Sequence, residues 1–93
     1  MSRAADLGVP PEAFTAWLRL HDALTRSHGT PCAGPGRDRW LGTEQEQRAA
    51  ADACMACPVL RQCDAYATAA GERAGVWGGF TARERQRRRG EAG

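Results

Sequence analysis

The apolar and polar positions of the chain group into short helical segments separated by glycine- and proline-rich breaks. After Pro10-Pro11, the residues Phe14, Trp17, Leu18, His21, Leu24 and His28 follow at spacings of three and four, which predicts one face of a helix. Proline is tolerated in a first helical turn, Glu12 suits the positive end, and Gly29 supplies the stop. Residues 29–42 hold four of the eleven glycines and two prolines, so they read as a loop carrying Cys32 and Trp40. Thr43-Glu44-Gln45-Glu46 has the form of a capping box and opens a second helix that reaches about Cys54. Cys57-Pro58 marks a break, and a third helix runs from Val59 to about Ala70 and ends at Gly71. Gly75-Val76-Trp77-Gly78-Gly79 has too much glycine for a helix and predicts a tight turn displaying one indole. A second capping-box pattern, Thr81-Ala82-Arg83-Glu84, begins a short arginine-rich helix that fades into Gly90–Gly93. Residues 1–10 read as a flexible lead, 11–80 as the folded domain and 81–93 as a basic tail.

Composition changes this picture by showing how little there is to bury. Leu, Val and Phe together number 11 of 93 residues and Ile is absent, whereas Ala alone numbers 18. That is below the roughly 20% at which a chain is suspected of disorder. The net charge is only +2, however, so the high-charge half of that signature is missing. A chain of this kind needs a staple: a metal, disulfides or a partner. A large enzyme with a deep substrate pocket is excluded. All 13 basic residues are Arg, and their placement is uneven: residues 1–80 carry 8 Arg and 9 acids, residues 81–93 carry 5 Arg and 2 Glu. The N-terminal stretch lacks the apolar run of a secretory signal, and no segment approaches a membrane span. The chain is therefore expected in the cytoplasm with no membrane partner, where thiols stay reduced and four cysteines point to a metal or cluster before disulfides.

The four are Cys32, Cys54, Cys57 and Cys63. Cys54-Met-Ala-Cys57 sits at a helix boundary, where the turn brings both sulfurs to one side. Cys57 precedes the third helix, so free backbone amides and the positive helix end favour its thiolate. Cys63 lies further into that helix, and Cys32 arrives from the loop. Three readings of this pattern stand. Structural zinc prefers two Cys-x-x-Cys knuckles or a Cys/His mixture. A thioredoxin-like redox pair expects a βαβ context, which is absent. A [4Fe–4S] cluster takes four thiolates at varied spacing, because its corners are several ångströms apart. His21 and His28 are read as partly buried helix histidines beside an apolar cluster rather than as ligands.

The cysteine spacing, the Gly75–Gly79 turn and the following basic segment, in that order, resemble the WhiB-like (Wbl) family of actinobacteria and their phages, over roughly residues 14–89. The resemblance implies an all-α fold, a small bundle of about four short helices wrapped around a [4Fe–4S] cluster held by Cys32, Cys54, Cys57 and Cys63. It implies a transcription regulator and not an enzyme, without a small-molecule substrate, whose cluster reacts with oxygen or nitric oxide. The implied partners are region 4 of the primary sigma factor of RNA polymerase and promoter DNA. Trp77 is expected to anchor the sigma contact, with Gly78 and Gly79 letting the partner backbone approach; the competing expectation folds Trp77 back onto the third helix. Many members carry an Asp-Pro-x-Leu-Phe-Phe-Pro-like stretch where this chain has Gly36-Arg37-Asp38-Arg39-Trp40-Leu41-Gly42. Trp40 and Leu41 are expected to take over its apolar contacts beside the cluster or at the sigma face. Arg83, Arg85, Arg87, Arg88 and Arg89 are expected to meet DNA phosphates with little base preference, against the alternative of a merely solvated helix. Two other functions stay open at this point: an apo-form thiol-disulfide reductase built on Cys54 and Cys57, and a zinc-stabilised adaptor.

Overall fold

Proline and threonine decide where the helices begin. A computed structural model describes residues 8–92, with side chains through Gly90. Residues 1–7 of the expected lead lie outside the described residues. Val9 does not trail in solvent but is buried, 5% exposed. Among the described residues there are four helices: α1 (Phe14–Arg26), α2 (Glu44–Cys54), α3 (Leu60–Ala70) and α4 (Ala82–Ala92). Short 3-10 turns occupy Pro11–Ala13, Pro31–Ala33 and Arg37–Leu41. One isolated antiparallel bridge joins Trp77 to Phe80. The all-α expectation holds.

The proline pair makes a 3-10 turn first, so α1 starts only at Phe14. Its far end is Arg26, with Ser27 extended, which leaves His28 outside the helix. The buried face of α1 also differs from the expected one. Leu20 is its buried residue, with Ala13 of the preceding turn buried in the same cluster and Ala16, Trp17 and Ala23 packed against it, whereas Leu18 is 48% exposed. Small alanines fill the stripe that faces α3, and a count of bulky residues alone rotates the face away from them. Both histidines are exposed, so they are not the partly buried residues expected. His21 instead lies against Trp17, ring centroids 4.1 Å apart, with its Nδ1 3.0 Å from the Trp17 carbonyl.

Both capping boxes form. In α2 the Glu46 amide donates to Thr43 Oγ1 at 3.1 Å and the Thr43 amide donates to Glu46 Oε1 at 2.8 Å. In α4 the Glu84 amide donates to Thr81 Oγ1 at 3.1 Å and the Thr81 amide to Glu84 Oε1 at 2.9 Å. These pairs satisfy first-turn donors that would otherwise face water unpaired. Gly71 closes α3 in the left-handed region, φ +66°, which lets the Glu72 amide reach the Ala67 carbonyl at 3.0 Å. Past its expected fading point, α4 continues through Gly90 to Ala92.

The core is in two parts. One cluster gathers Val9, Ala13, Leu20, Val59 and Tyr66, where α1 packs on α3. The other gathers Ala50, Ala51, Cys54 and Val76, with Trp40 and Leu60 against it. No large side chain is fully buried in either.

Candidate metal centre and basic helix

Four segments deliver the cysteines to one place. Cys32 sits exposed on the Pro31–Ala33 turn, with the Thr30 hydroxyl 3.1 Å from its sulfur. Cys54 is the buried last residue of α2, Cys57 lies half-buried in the link, and Cys63 lies half-buried within α3. All four thiols are free, and all line one cavity of about 420 Å³. Leu20, Val59 and Trp77 from the first core cluster form part of its wall, and Trp40, Leu60 and Val76 from the second form another. Glu72 supplies the one carboxylate of the lining. The cavity thus separates the two halves of the core, and the cysteines face it from both.

The donor set tests what such a cavity accepts. Among the described residues, no three His, Cys, Asp or Glu side chains are close enough to hold a single metal ion. Four thiols spread around an apolar cavity match a multi-cornered iron–sulfur cluster better than one tetrahedral zinc. Burial pushes the Cys63 thiol up to about 11, opposed by the Gly78 amide that donates to it. It also pushes the Cys57 thiol up, opposed by the Val59 amide. Desolvation therefore outweighs the helix-end stabilisation expected for a Cys57 thiolate.

The glycine-rich turn closes the cavity and is built for contact with its own chain. Trp77 and Phe80 exchange backbone hydrogen bonds of 3.1 Å in both directions. Gly78 and Gly79 between them have φ of +58° and +87°, the two left-handed positions of a type I′ turn. A Cβ on Gly78 would lie 2.6 Å from the backbone nitrogen of Asp64 in α3, and one on Gly79 would meet Met55 and Leu60. Both glycines therefore let the turn approach α3 and the adjoining link closely. Trp77 does fold back: it is half-buried, its ring 5.4 Å from that of Tyr66, and its Nε1 donates to the Ala74 carbonyl at 3.0 Å. Trp40 is also half-buried, and its carbonyl accepts the Val76 amide at 2.9 Å. Leu41 beside it is 75% exposed at the edge of the cavity.

The five arginines expected at DNA do not share one situation. Arg85 is only 3% exposed, and its guanidinium donates to three carbonyls: Phe80 at 2.9 Å, Ala74 at 3.1 Å and Glu72 at 3.2 Å. This corrects its expected place at a phosphate. The side chain fastens α4 to both ends of the turn that walls the cavity. Arg88 bonds Asp64 at 3.0 Å and lies over the Phe80 ring at 4.1 Å, a cation–π contact. Arg83 pairs with Glu44 at 2.8 Å, whereas Arg87 and Arg89 are exposed. Sequence reasoning missed the Arg85 strut, because nothing in an arginine run marks the one member that turns inward. It also passed over Tyr66, whose buried ring carries the Trp77 contact and whose hydroxyl donates to Glu72 at 3.1 Å.

Comparison with known proteins follows the same segments. The family described as Transcription factor WhiB matches residues 2–87. WhiB2 of Mycobacterium tuberculosis, a transcriptional regulator, is 50% identical over 79 residues, covering 85% of this chain and 80% of that protein. The redox-responsive transcriptional regulator WhiB3 of Mycolicibacterium smegmatis is 38% identical over 52 residues, 56% of this chain and 54% of the relative. WhiD of Streptomyces coelicolor is 40% identical over 58 residues, 62% of this chain and 52% of the relative. The chain thus spans about half the length of the WhiB3 and WhiD proteins it matches. No solved structure matches it. A family match over nearly every residue agrees with a bundle whose four cysteines face one cavity: the chain belongs to the WhiB transcription-factor family.

Proposed function

We propose that the chain is a cytoplasmic transcription regulator that holds a [4Fe–4S] cluster on Cys32, Cys54, Cys57 and Cys63 and acts through region 4 of the primary sigma factor at promoter DNA. The observation that carries this reading is the single apolar cavity lined by all four thiols between the two halves of the core. The redox-responsive names of the WhiB3 relatives support the same chemistry. When bound, such a cluster supplies a redox-active centre open to oxygen or nitric oxide. The residues of the chain do the rest. The Gly78 and Val59 amides donate to Cys63 and Cys57 and favour the thiolate forms a metal requires. Leu20, Val59, Leu60 and Val76 give the cavity around the thiols an apolar wall.

Sigma binding is assigned to the face around Trp77, Trp40 and the exposed Leu41. A large aromatic beside exposed apolar surface is the usual form of a binding hot spot. Because Trp77 also closes the cavity, loss of the thiol ligands would disturb that face, which links signal to partner binding. DNA contact is assigned to the exposed arginines of α4, with Arg85 holding the helix in place.

The test is capture of sigma region 4 by the protein purified anaerobically, compared with the same protein after chelation of its iron. Capture by the first and not the second is expected, and equal capture overturns the reading. A Trp77→Ala protein that keeps its visible spectrum should lose about 2 kcal/mol of sigma affinity or more. Undiminished capture by that variant removes Trp77 from the interface.

A further inference from the structure

A second cavity, of about 380 Å³, opens on the far side of α4 from the Arg85 strut, and its chemistry is ionic where the first is apolar. Glu44, Gln45 and Arg48 of α2 line one side, and Thr81, Arg83 and Arg87 line the other. Arg83 and Arg87 are one helical turn apart and share a face of α4; Glu44 and Arg48 share a face of α2 in the same way. Two ion pairs cross between the helices, Arg83 to Glu44 and Arg48 to Glu84, each at 2.8 Å. Three guanidinium groups therefore surround one opening, against two carboxylates.

We propose that this cavity is a phosphodiester site in which Arg48, from outside the basic tail, holds a DNA backbone phosphate together with Arg83 and Arg87. The inference rests on the proposed DNA contact of α4 and names its centre. Glu84 cannot easily leave Arg48 for solvent, because its other oxygen accepts the Thr81 amide in the capping box. It uses one guanidinium donor and aims the group, leaving the remaining donors to the cavity. Glu44 has no such second tie to the helix start, since the α2 capping box uses Glu46. An incoming phosphate displaces the Glu44 carboxylate from Arg83 and meets a bidentate-capable fork. The capping boxes engage the Thr43, Glu46, Thr81 and Glu84 amides and the Ala82 amide donates to Gln47, so the arginines supply the charged donors of the cavity. DNA is favoured over a small phosphate ligand because Arg83 and Arg87 stand exposed along one face of α4, open to an extended polyanion, whereas Arg89 turns to the other side and donates to the Glu72 carbonyl. Phosphate contact of this kind positions a duplex without reading its bases.

Binding of the anaerobically purified full chain to a short random-sequence duplex, measured across salt concentrations, tests the site. Each phosphate contact contributes about −0.9 to the slope of log K against log salt. Arg48→Ala should flatten that slope by about one contact, Arg48→Lys should restore most of it, and Glu44→Gln should tighten binding at every salt concentration. If Arg48→Ala leaves slope and affinity unchanged while Arg83→Ala with Arg87→Ala flattens them, the site is overturned and the DNA-binding role of α4 stands. If none of these changes matters, DNA contact by α4 fails, and the site with it. Should Arg48→Ala lose helicity, Glu44→Gln decides: unaltered affinity overturns the proposal. Inorganic phosphate that competes at the concentrations of simple screening leaves the DNA assignment intact; competition far below them overturns it in favour of a small phosphate ligand.

Discussion

Arg85 and Gly78 show how single residues hold the cavity wall. Removing the buried guanidinium takes away three charge-assisted hydrogen bonds, to the Phe80, Ala74 and Glu72 carbonyls, and such bonds are individually strong. Arg85→Ala should therefore cost about 3 kcal/mol, a fall in Tm on the order of 10–20 °C for a chain of this size. Arg87→Ala should stay within about 0.5 kcal/mol of wild type in the same thermal melt. Equal effects would contradict the division of roles along α4. Gly78→Ala places a Cβ in a left-handed backbone position and against the backbone of Asp64. It should cost about 2 kcal/mol and reduce the iron bound per chain, because the Gly78 amide also serves Cys63. At this scale the sequence showed which residues carry chemistry but not which way they face. The glycine spacing announced a turn, whereas its close approach to α3 depends on a tertiary contact that no local pattern encodes.

Helix starts were the most legible elements, because a capping box is local chemistry written within four residues. Both Thr-x-x-Glu patterns form the reciprocal bonds they predict. Thr81→Ala should cost about 1 kcal/mol, read as lower thermal stability with the α2 cap unaffected. The same box makes α4 sensitive to acid. The Thr81 amide, followed by Arg48, holds the Glu84 carboxyl below the usual glutamate range. A carboxyl with a depressed folded value stabilises above its unfolded value and loses that contribution as pH falls through the folded one. Stability should thus decline as pH falls below the ordinary glutamate range, and Glu84→Gln should show a shallower acid decline with a lower plateau at neutral pH. The face of α1 was less legible. Its buried stripe is carried by Ala13, Ala16 and Ala23 as much as by Leu20, and alanine gives little hydrophobic signal to place a face.

The whole molecule resolves the scarcity of bulky apolar residues. Two small clusters, neither with a fully buried large side chain, face each other across a cavity lined by four cysteines. Few methylenes are available to close that space, so the ligand bonds of a cluster would do what aliphatic packing does elsewhere, and its binding energy becomes folding energy. Removal of iron should therefore lower helicity measured by circular dichroism, with Cys54→Ser resembling the stripped protein. Retention of full helicity and thermal stability would contradict the link between cluster and fold. Cysteine spacing singled out at the level of sequence the four thiols that line the cavity, whereas the split core could not be read there, because it arises only when α1, α3 and the glycine turn meet. The central claim is tested most directly by the visible spectrum of the anaerobically purified chain with its iron and sulfide content. The account predicts a brown protein with about four iron and four sulfide per chain, bleached by oxygen or nitric oxide. A colourless protein carrying one zinc would contradict it.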